Sequence, residues 1–459
     1  MKTGRSLLLY PPLMFILLFP LAAALPAQAL TQQESVNRSV LTYPGVQAKW
    51  HAFLAALEDN EAARKGYRPT LDITAGIGRE SLDGEGYDGR DLMNYTRDGV
   101  TLSLSQMLYD GGLTKNQVAR FSHIRKMRYF ELLDSMEKAG LDGLQGHVDV
   151  VRYRILASLA RDNLARHEAV MKKIEDRTRA GVESQVNLET TRGRLALAKA
   201  NLLTEESNLH DAATQYVRIV GEAPADSLEI AEISLTLPPS PEKSLEEAFS
   251  GNPAYFASIE NTLAMMKAKA EQEARLQPRL DFRASANSEH DVDGVEGRRD
   301  KTVAELLLRY NFYNGGADRA TIRRYSELAR ESEENLKKTE REIRQSVLIA
   351  YNDILAIEKQ LPELELHMKS ADSMRKAYAQ QFEVGRRSLL DLLDAENEYF
   401  QASRAFANAR FNLLNAKARY LAATGKLTAY FKVIREDLPS PEKVGINPEA
   451  YKTWSSTGK

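Results

Sequence analysis

Leu108-Tyr109-Asp110-Gly111-Gly112 returns as Phe312-Tyr313-Asn314-Gly315-Gly316, with Gly111 and Gly315 standing 204 residues apart. The same spacing carries Gly181 to Gly385, Ser184 to Ser388 and Gly221 to Gly425. Upstream, Pro69-Thr70-Leu71-Asp72 returns as Pro278-Arg279-Leu280-Asp281 at a spacing of 209. The five-residue difference falls in the glycine-rich and charged loops between these anchors. Self-similarity over so long a period means one structural unit written twice.

Outward from the repeated turn, each unit reads in the same order. A helical stretch over 31–65 is ended by Gly66 and Pro69. Two alternating segments follow, at about 70–79 and 99–109, matched by about 279–288 and 303–313 in the second copy. Leu71, Ile73, Ala75 and Ile77 alternate with Asp72, Thr74 and Gly76, which is the period of a strand with one apolar and one polar face. A soluble hairpin with one wet face has the same alternation. Each segment, however, runs roughly ten residues, the span a tilted strand needs to cross hydrocarbon. Four strands cannot close a barrel, whose minimum is about eight, whereas three copies would bring twelve.

Beyond each repeated turn, residues 113–180 and 317–384 carry no turn chemistry, and as helices each would be roughly 100 Å long. The returning tracts, 184–220 and 388–424, are about half as long. Leu188, Leu195, Leu202, Leu209 and Tyr216 repeat every seven residues, as do Leu392, Tyr399, Phe406, Leu413 and Tyr420, with Ala395, Ala402, Ala409, Ala416 and Ala423 as a companion seam. Large residues on one seam and alanine on the other let helices pack closely as a coiled coil. The expected fold is mainly α with a small β part. Its divisions are 1–29, a first repeat at 30–222, a linker at 223–242, a second repeat at 243–436 and a tail at 437–459, whose prolines suggest an extended or mobile segment. Gly140, Gly143 and Gly146, on one face of the first long helix, and Pro362 inside the second, receive no functional assignment from the pattern.

Lys2 and Arg5, the apolar run of residues 7–18 and Ala27-Gln28-Ala29 have the form of a signal peptide, placing the mature start near Leu30. There is no cysteine, which excludes a disulfide and a lipid-modified N-terminal cysteine. With secretion implied and no later apolar run long enough to span a bilayer, a transmembrane β-barrel is the remaining way into a membrane. Sixty-two basic residues against sixty-four acidic ones leave a formal charge of -2, so no basic field exists to hold nucleic acid.

Together these elements resemble the TolC family of outer-membrane channel proteins over nearly the whole mature chain. Two signatures carry the resemblance: the turns Tyr109 to Gly112 and Tyr313 to Gly316, and the run Val384-Gly385-Arg386-Arg387-Ser388-Leu389-Leu390-Asp391-Leu392-Leu393-Asp394, which looks like the family's periplasmic tip. The resemblance implies a homotrimer with a twelve-stranded barrel in outer-membrane lipid and a helical tunnel across the periplasm. It also implies a periplasmic adaptor (membrane fusion) protein and an inner-membrane ABC transporter or other pump as partners. The Val295-Glu296-Gly297-Arg298-Arg299-Asp300 loop and the Leu308-Arg309-Tyr310-Asn311-Phe312 strand are more similar to channels for type I secretion of large adhesins. Multidrug or small-molecule efflux is the alternative.

Asp391 and Asp394, three apart at a helix start, share a face, and an acidic group there is favoured by the helix dipole. The resemblance implies that they line the narrow periplasmic entrance, where threefold symmetry would make each a ring of carboxylates. It also implies that Arg387 holds the closed tip through polar links between hairpins. Here the pattern departs: Asn187 stands where an aspartate partner is usual and Phe382 where a tyrosine is usual. The tip turns are Gly181 with Ser184 and Gly385 with Ser388, and the strand-to-helix turns are Gly111 with Gly112 and Gly315 with Gly316.

No metal-ligand spacing, Walker loop or nucleophile elbow is present, so neither an enzyme nor a cofactor is expected. Asp291-x-Asp293-Gly294 is only a fragment of a calcium loop. The competing class is a soluble periplasmic coiled-coil adaptor or scaffold, which needs one hairpin and no membrane-length strands.

Overall fold

The computed structural model describes residues 30–83, 92–293, 295–447 and 451. The expected signal segment lies outside the described residues. Each repeat opens with a broken helix: α1 (Gln32–Thr42) and α2 (Pro44–Lys65) in the first, α5 (Pro241–Gly251) and α6 (Pro253–Ala274) in the second. Pro44 and Pro253 sit at the first helical position, where the missing amide hydrogen costs nothing and the fixed φ starts a new helix. The α1 start is closed by a capping box between Thr31 and Glu34.

The strands are β1 (Thr70–Asp83), β2 (Leu92–Tyr109), β3 (Arg279–Val292) and β4 (Val295–Arg309). They form one antiparallel sheet in sequence order, with both β1 and β4 as open edges. All four are longer than alternation alone suggests. The charged segment 295–300, which reads as a loop, is instead the start of β4: Arg298 faces His290 and Arg299 faces Glu289, and the Arg299–Glu289 ion pair spans 3.3 Å. The expected strand over 303–313 ends early, at Arg309. β2 has neighbours on both sides and runs on to Tyr109, whereas β4 is an edge, and Tyr310 and Phe312 lie beyond it, stacked edge to face at 4.6 Å. Asp291 and Asp293, the calcium-loop fragment, both adopt positive φ; Asp291 Oδ1 accepts from the Gly297 amide at 2.7 Å and Asp293 pairs with Arg299 at 3.3 Å.

The long helices are α3 (Leu113–Arg179) and α7 (Ala317–Glu383), each of 67 residues, and the returning ones α4 (Gln185–Val220) and α8 (Leu389–Ala423). α7 continues through Pro362, for which the structure offers no functional account. The main core lies midway along the rod, where α1, α2, α6 and the tail pack against α3, α7 and α8 around Phe53, Phe130 and Tyr420. Gly143 makes this possible, since a Cβ there would stand 2.3 Å from Ser39 Oγ and 3.2 Å from the Ser35 carbonyl. Its absence lets α1 lie directly on α3.

In α8 the alanine seam is buried from Ala395 to Ala416, while on the large-residue seam Leu392 and Tyr420 are buried and Tyr399, Phe406 and Leu413 between them are half-buried. The tail is not free. α9 (Leu427–Tyr430) and a short 3-10 helix (Pro441–Val444) fold back, Val444, Ile446 and Tyr451 are buried in the main core, and the Tyr451 hydroxyl donates to Glu260. Arg125 and Tyr129 donate to the Val444 and Pro439 carbonyls at 2.7 and 3.2 Å.

Candidate functional site

The end of the rod distant from the sheet is made of two helix hairpins, α3 with α4 and α7 with α8. Each turns at a glycine in the left-handed region, Gly181 at φ 72° and Gly385 at φ 73°, and restarts at a serine cap. Ser184 Oγ accepts from the Asn187 amide and Ser388 Oγ from the Asp391 amide, both at 3.2 Å. A cluster of Met171, Ile174, Leu188, Phe382, Leu389, Leu392 and Leu393 packs the two hairpins together.

Phe382 is therefore a core residue of the tip, buried, with the Arg177 guanidinium 5.4 Å over its ring. Asn187 stays within its own hairpin, donating to Glu183 Oε1 at 2.6 Å. Arg387 does the same: it donates to Gln381 Oε1 at 3.0 Å, lies 4.4 Å over the Tyr378 ring and approaches Asp391 at 3.8 Å. Within one chain, Arg387 and Asn187 do not meet.

The two carboxylates also have separate duties. Asp391 closes a capping box with Ser388, accepting from its amide at 3.2 Å and its hydroxyl at 2.9 Å. Those bonds, and then the charge of Arg387, hold its carboxyl below the usual aspartate range. Asp394 is 64% exposed and accepts from Arg194 of α4 at 2.9 Å. The shared face thus carries two acidic groups, one used as a cap and one countered by a neighbouring cation.

What fastens one hairpin to the other was not visible in the motif. Lys173 of α3 pairs with Glu383 of α7, Arg194 with Asp394, Arg166 of α3 with Glu396 of α8 at 3.6 Å, and Arg404 of α8 with Glu205 of α4 at 2.5 Å. Glu396 carried one available signal: a charged residue immediately beside the buried alanine seam, where charge is costly without a partner.

At the opposite end, the strand-to-helix turns differ between repeats. Asp110 accepts from the amides of Gly112 at 3.1 Å and Thr114 at 2.7 Å. Gly111 presses on the end of α6, so that a Cβ there would stand 2.2 Å from Gln277 Cβ. Around Gly315 and Gly316, at φ 73° and 84°, a Cβ would meet nothing within 4 Å. Leu71, Ile73 and Ile77 on β1 and Leu306 and Leu308 on β4 are exposed along the two open edges. No helix among the described residues is long and apolar enough to cross a membrane, and no cluster of potential metal ligands occurs among them.

The comparisons with known proteins agree with this architecture. A family profile described as Outer membrane efflux protein matches residues 37–222 and 257–426. The outer membrane efflux protein BepC of Brucella suis is 24% identical over 374 residues, covering 81% of this chain and 80% of BepC. The outer membrane protein TolC of Escherichia coli is 23% identical over 419 residues, 86% of this chain and 82% of TolC. The alkaline protease secretion protein AprF of Pseudomonas aeruginosa is 26% identical over 406 residues, 82% of each chain. The structure of the Campylobacter jejuni CmeC outer membrane channel superimposes with a TM-score of 0.79 at 12% identity, covering 92% of this chain and 89% of that one, a likeness of fold.

Proposed function

This chain belongs to the outer membrane efflux protein family, and on that premise we propose that three copies form the exit duct of a type I secretion system for a large protein such as an adhesin. The coarser statement is the family's own: an outer-membrane channel of a tripartite export system, with a helical tunnel in the periplasm and no enzymatic activity.

The observation that carries the duct is the pair of unsatisfied edges. β1 and β4 present unpaired backbone groups that nothing in lipid can satisfy except another strand. Joining β4 of one copy to β1 of the next closes a barrel, and twelve strands enclose an open lumen. The tunnel wall closes in the same way along α7.

Type I secretion is favoured by the segments 295–300 and 308–312 and by the likeness to a relative named for protease secretion. The likeness to a relative named for efflux supports small-molecule export as the second reading. Deleting the gene separates them. Loss of one large protein from the culture supernatant, with unchanged susceptibility to dyes and detergents, is the expected result; hypersensitivity with an unchanged supernatant selects efflux.

We place the periplasmic entrance at the hairpin tips, with Asp391 and Asp394 as carboxylate rings. The double variant Asp391→Asn, Asp394→Asn keeps the cap's hydrogen-bonding shape while removing both charges. It should assemble and lose cation preference in planar bilayers. Unchanged ion selectivity would move the entrance charge elsewhere.

A further inference from the structure

About two to four helical turns into α8, a small, partly open space separates α8 from α3. Its volume is about 20 Å³, and Asn163, Arg166, Glu396, Tyr399, Phe400 and Ser403 line it. Four side-chain atoms in these walls are buried without a hydrogen-bond partner: Asn163 Oδ1 and Arg166 Nη1 from α3, and Glu396 Oε2 and Ser403 Oγ from α8. Asn163, Glu396 and Ser403 are each more than nine-tenths buried. Arg166 Nη1 and Glu396 Oε2 are 3.6 Å apart, attracted but too distant for a direct hydrogen bond.

One water molecule needs about 10–15 Å³ of such space and two to four polar partners. This set offers two acceptors, Asn163 Oδ1 and Glu396 Oε2, one obligate donor, Arg166 Nη1, and a hydroxyl, Ser403, free to donate. A water donating to the first two and accepting from the others uses all four of its valences. We propose that this cavity is a binding site for one water molecule, and that the junction it bridges clasps the second hairpin to the first above the tips. The clasp's role in opening rests on the channel reading; the water site does not.

The junction also responds to protons. Facing Glu396 are Asp162 and Arg166, with His167 one residue further on α3; Asp372 and Arg375 on α7, with Lys376 held by Asp372; and Tyr399 on α8 itself. Burial pushes the Glu396 carboxyl up to about 7, against the pull of Arg166 and with a small push from Asp372. Separating the hairpins would hydrate the group and return it to the ordinary glutamate range. The clasped state therefore binds the proton more tightly, and acidification from pH 8 to pH 5 strengthens it. A neutral carboxyl still bonds the water.

The test combines a high-resolution structure of the assembled protein with single-channel recording. Density is expected within hydrogen-bond reach of the four atoms. Ser403→Val fills the cavity and should raise open probability about tenfold, the scale of losing hydrogen bonds to a charged group; Ser403→Ala, the milder variant, should raise it less. Wild type should open less at pH 5.5 than at pH 8, and Glu396→Gln should remove the part of that slope due to this site. An empty cavity overturns the water site. Wild-type opening in both Ser403 variants, or an unchanged slope in Glu396→Gln, overturns the clasp. A protein that never conducts overturns the channel reading instead, and the density alone then decides the water.

Discussion

α3 and α7 are two copies of one helix, equal in length at 67 residues, yet twenty-one residues of α3 are buried and only eight of α7. α3 is covered by α1, α2 and α4 of its own repeat and by α6 and α8 of the other; α7 touches α5, α6 and α8. The difference lies in position: α3 sits between repeats, α7 at the end of the chain's row. Whatever α6 and α8 do for α3, the α2 and α4 of a neighbouring copy are placed to do for α7. On the proposed trimer, the contact between repeats therefore predicts the contact between copies, and the open surroundings of Gly315 beside the packed Gly111 make the same comparison at the turns.

The sharpest way to break this comparison is to trap the contact it predicts. Within the chain Leu102 pairs with Ala286; the repeat counterparts of these residues are Leu306 and Ile77. A Leu306→Cys, Ile77→Cys protein, otherwise free of cysteine, should oxidise almost completely into a covalent trimer, since paired strand positions meet disulfide geometry. Moving one cysteine to Thr70 should abolish the cross-link. If Leu306 fails with Ile77 and links elsewhere, the register does not carry over.

Next in size are substitutions at equivalent positions. Phe130 is buried in the main core, while its counterpart Glu334 is exposed. Phe130→Ala should cost about 3–5 kcal/mol in thermal unfolding, and Glu334→Ala should leave the unfolding of the separated chain unchanged. An effect at Glu334 that appears only in the assembled protein would show the α2 of a neighbouring copy resting on that face, as α6 rests on Phe130.

Gly143 and Val347 are counterparts that differ in what lies on them. Gly143→Val, which rewrites the first repeat as the second, should destabilise by about 1–3 kcal/mol through its collision with α1. Equal stability would show that α1 shifts freely.

The smallest effect belongs to the exposed tip pair. Arg194→Ala should change unfolding by about 0–1 kcal/mol and be read better as a change in opening. An equal effect of Arg194→Ala with Asp394 already changed to asparagine would show that the two are not coupled.

Much of the fold was legible because it is periodic. Spacings of 204 and 209 declared the duplication, alternation by two declared the strands, and sevenfold spacing declared the coiled coils, since each reports a backbone geometry that local sequence alone imposes. Periodicity names faces without naming what meets them. That the alanine seam of α8 is buried along its middle where the large-residue seam is only half-buried, that Phe382 packs the tip, that Arg387 turns back to Tyr378 and Gln381, that segment 295–300 joins β4 and that the tail enters the core were decided by the tertiary structure. Each depends on groups far apart in the chain competing for one space, and Glu396 became a candidate clasp only when folding set Arg166 and Arg375, 230 and 21 residues away, on either side of it.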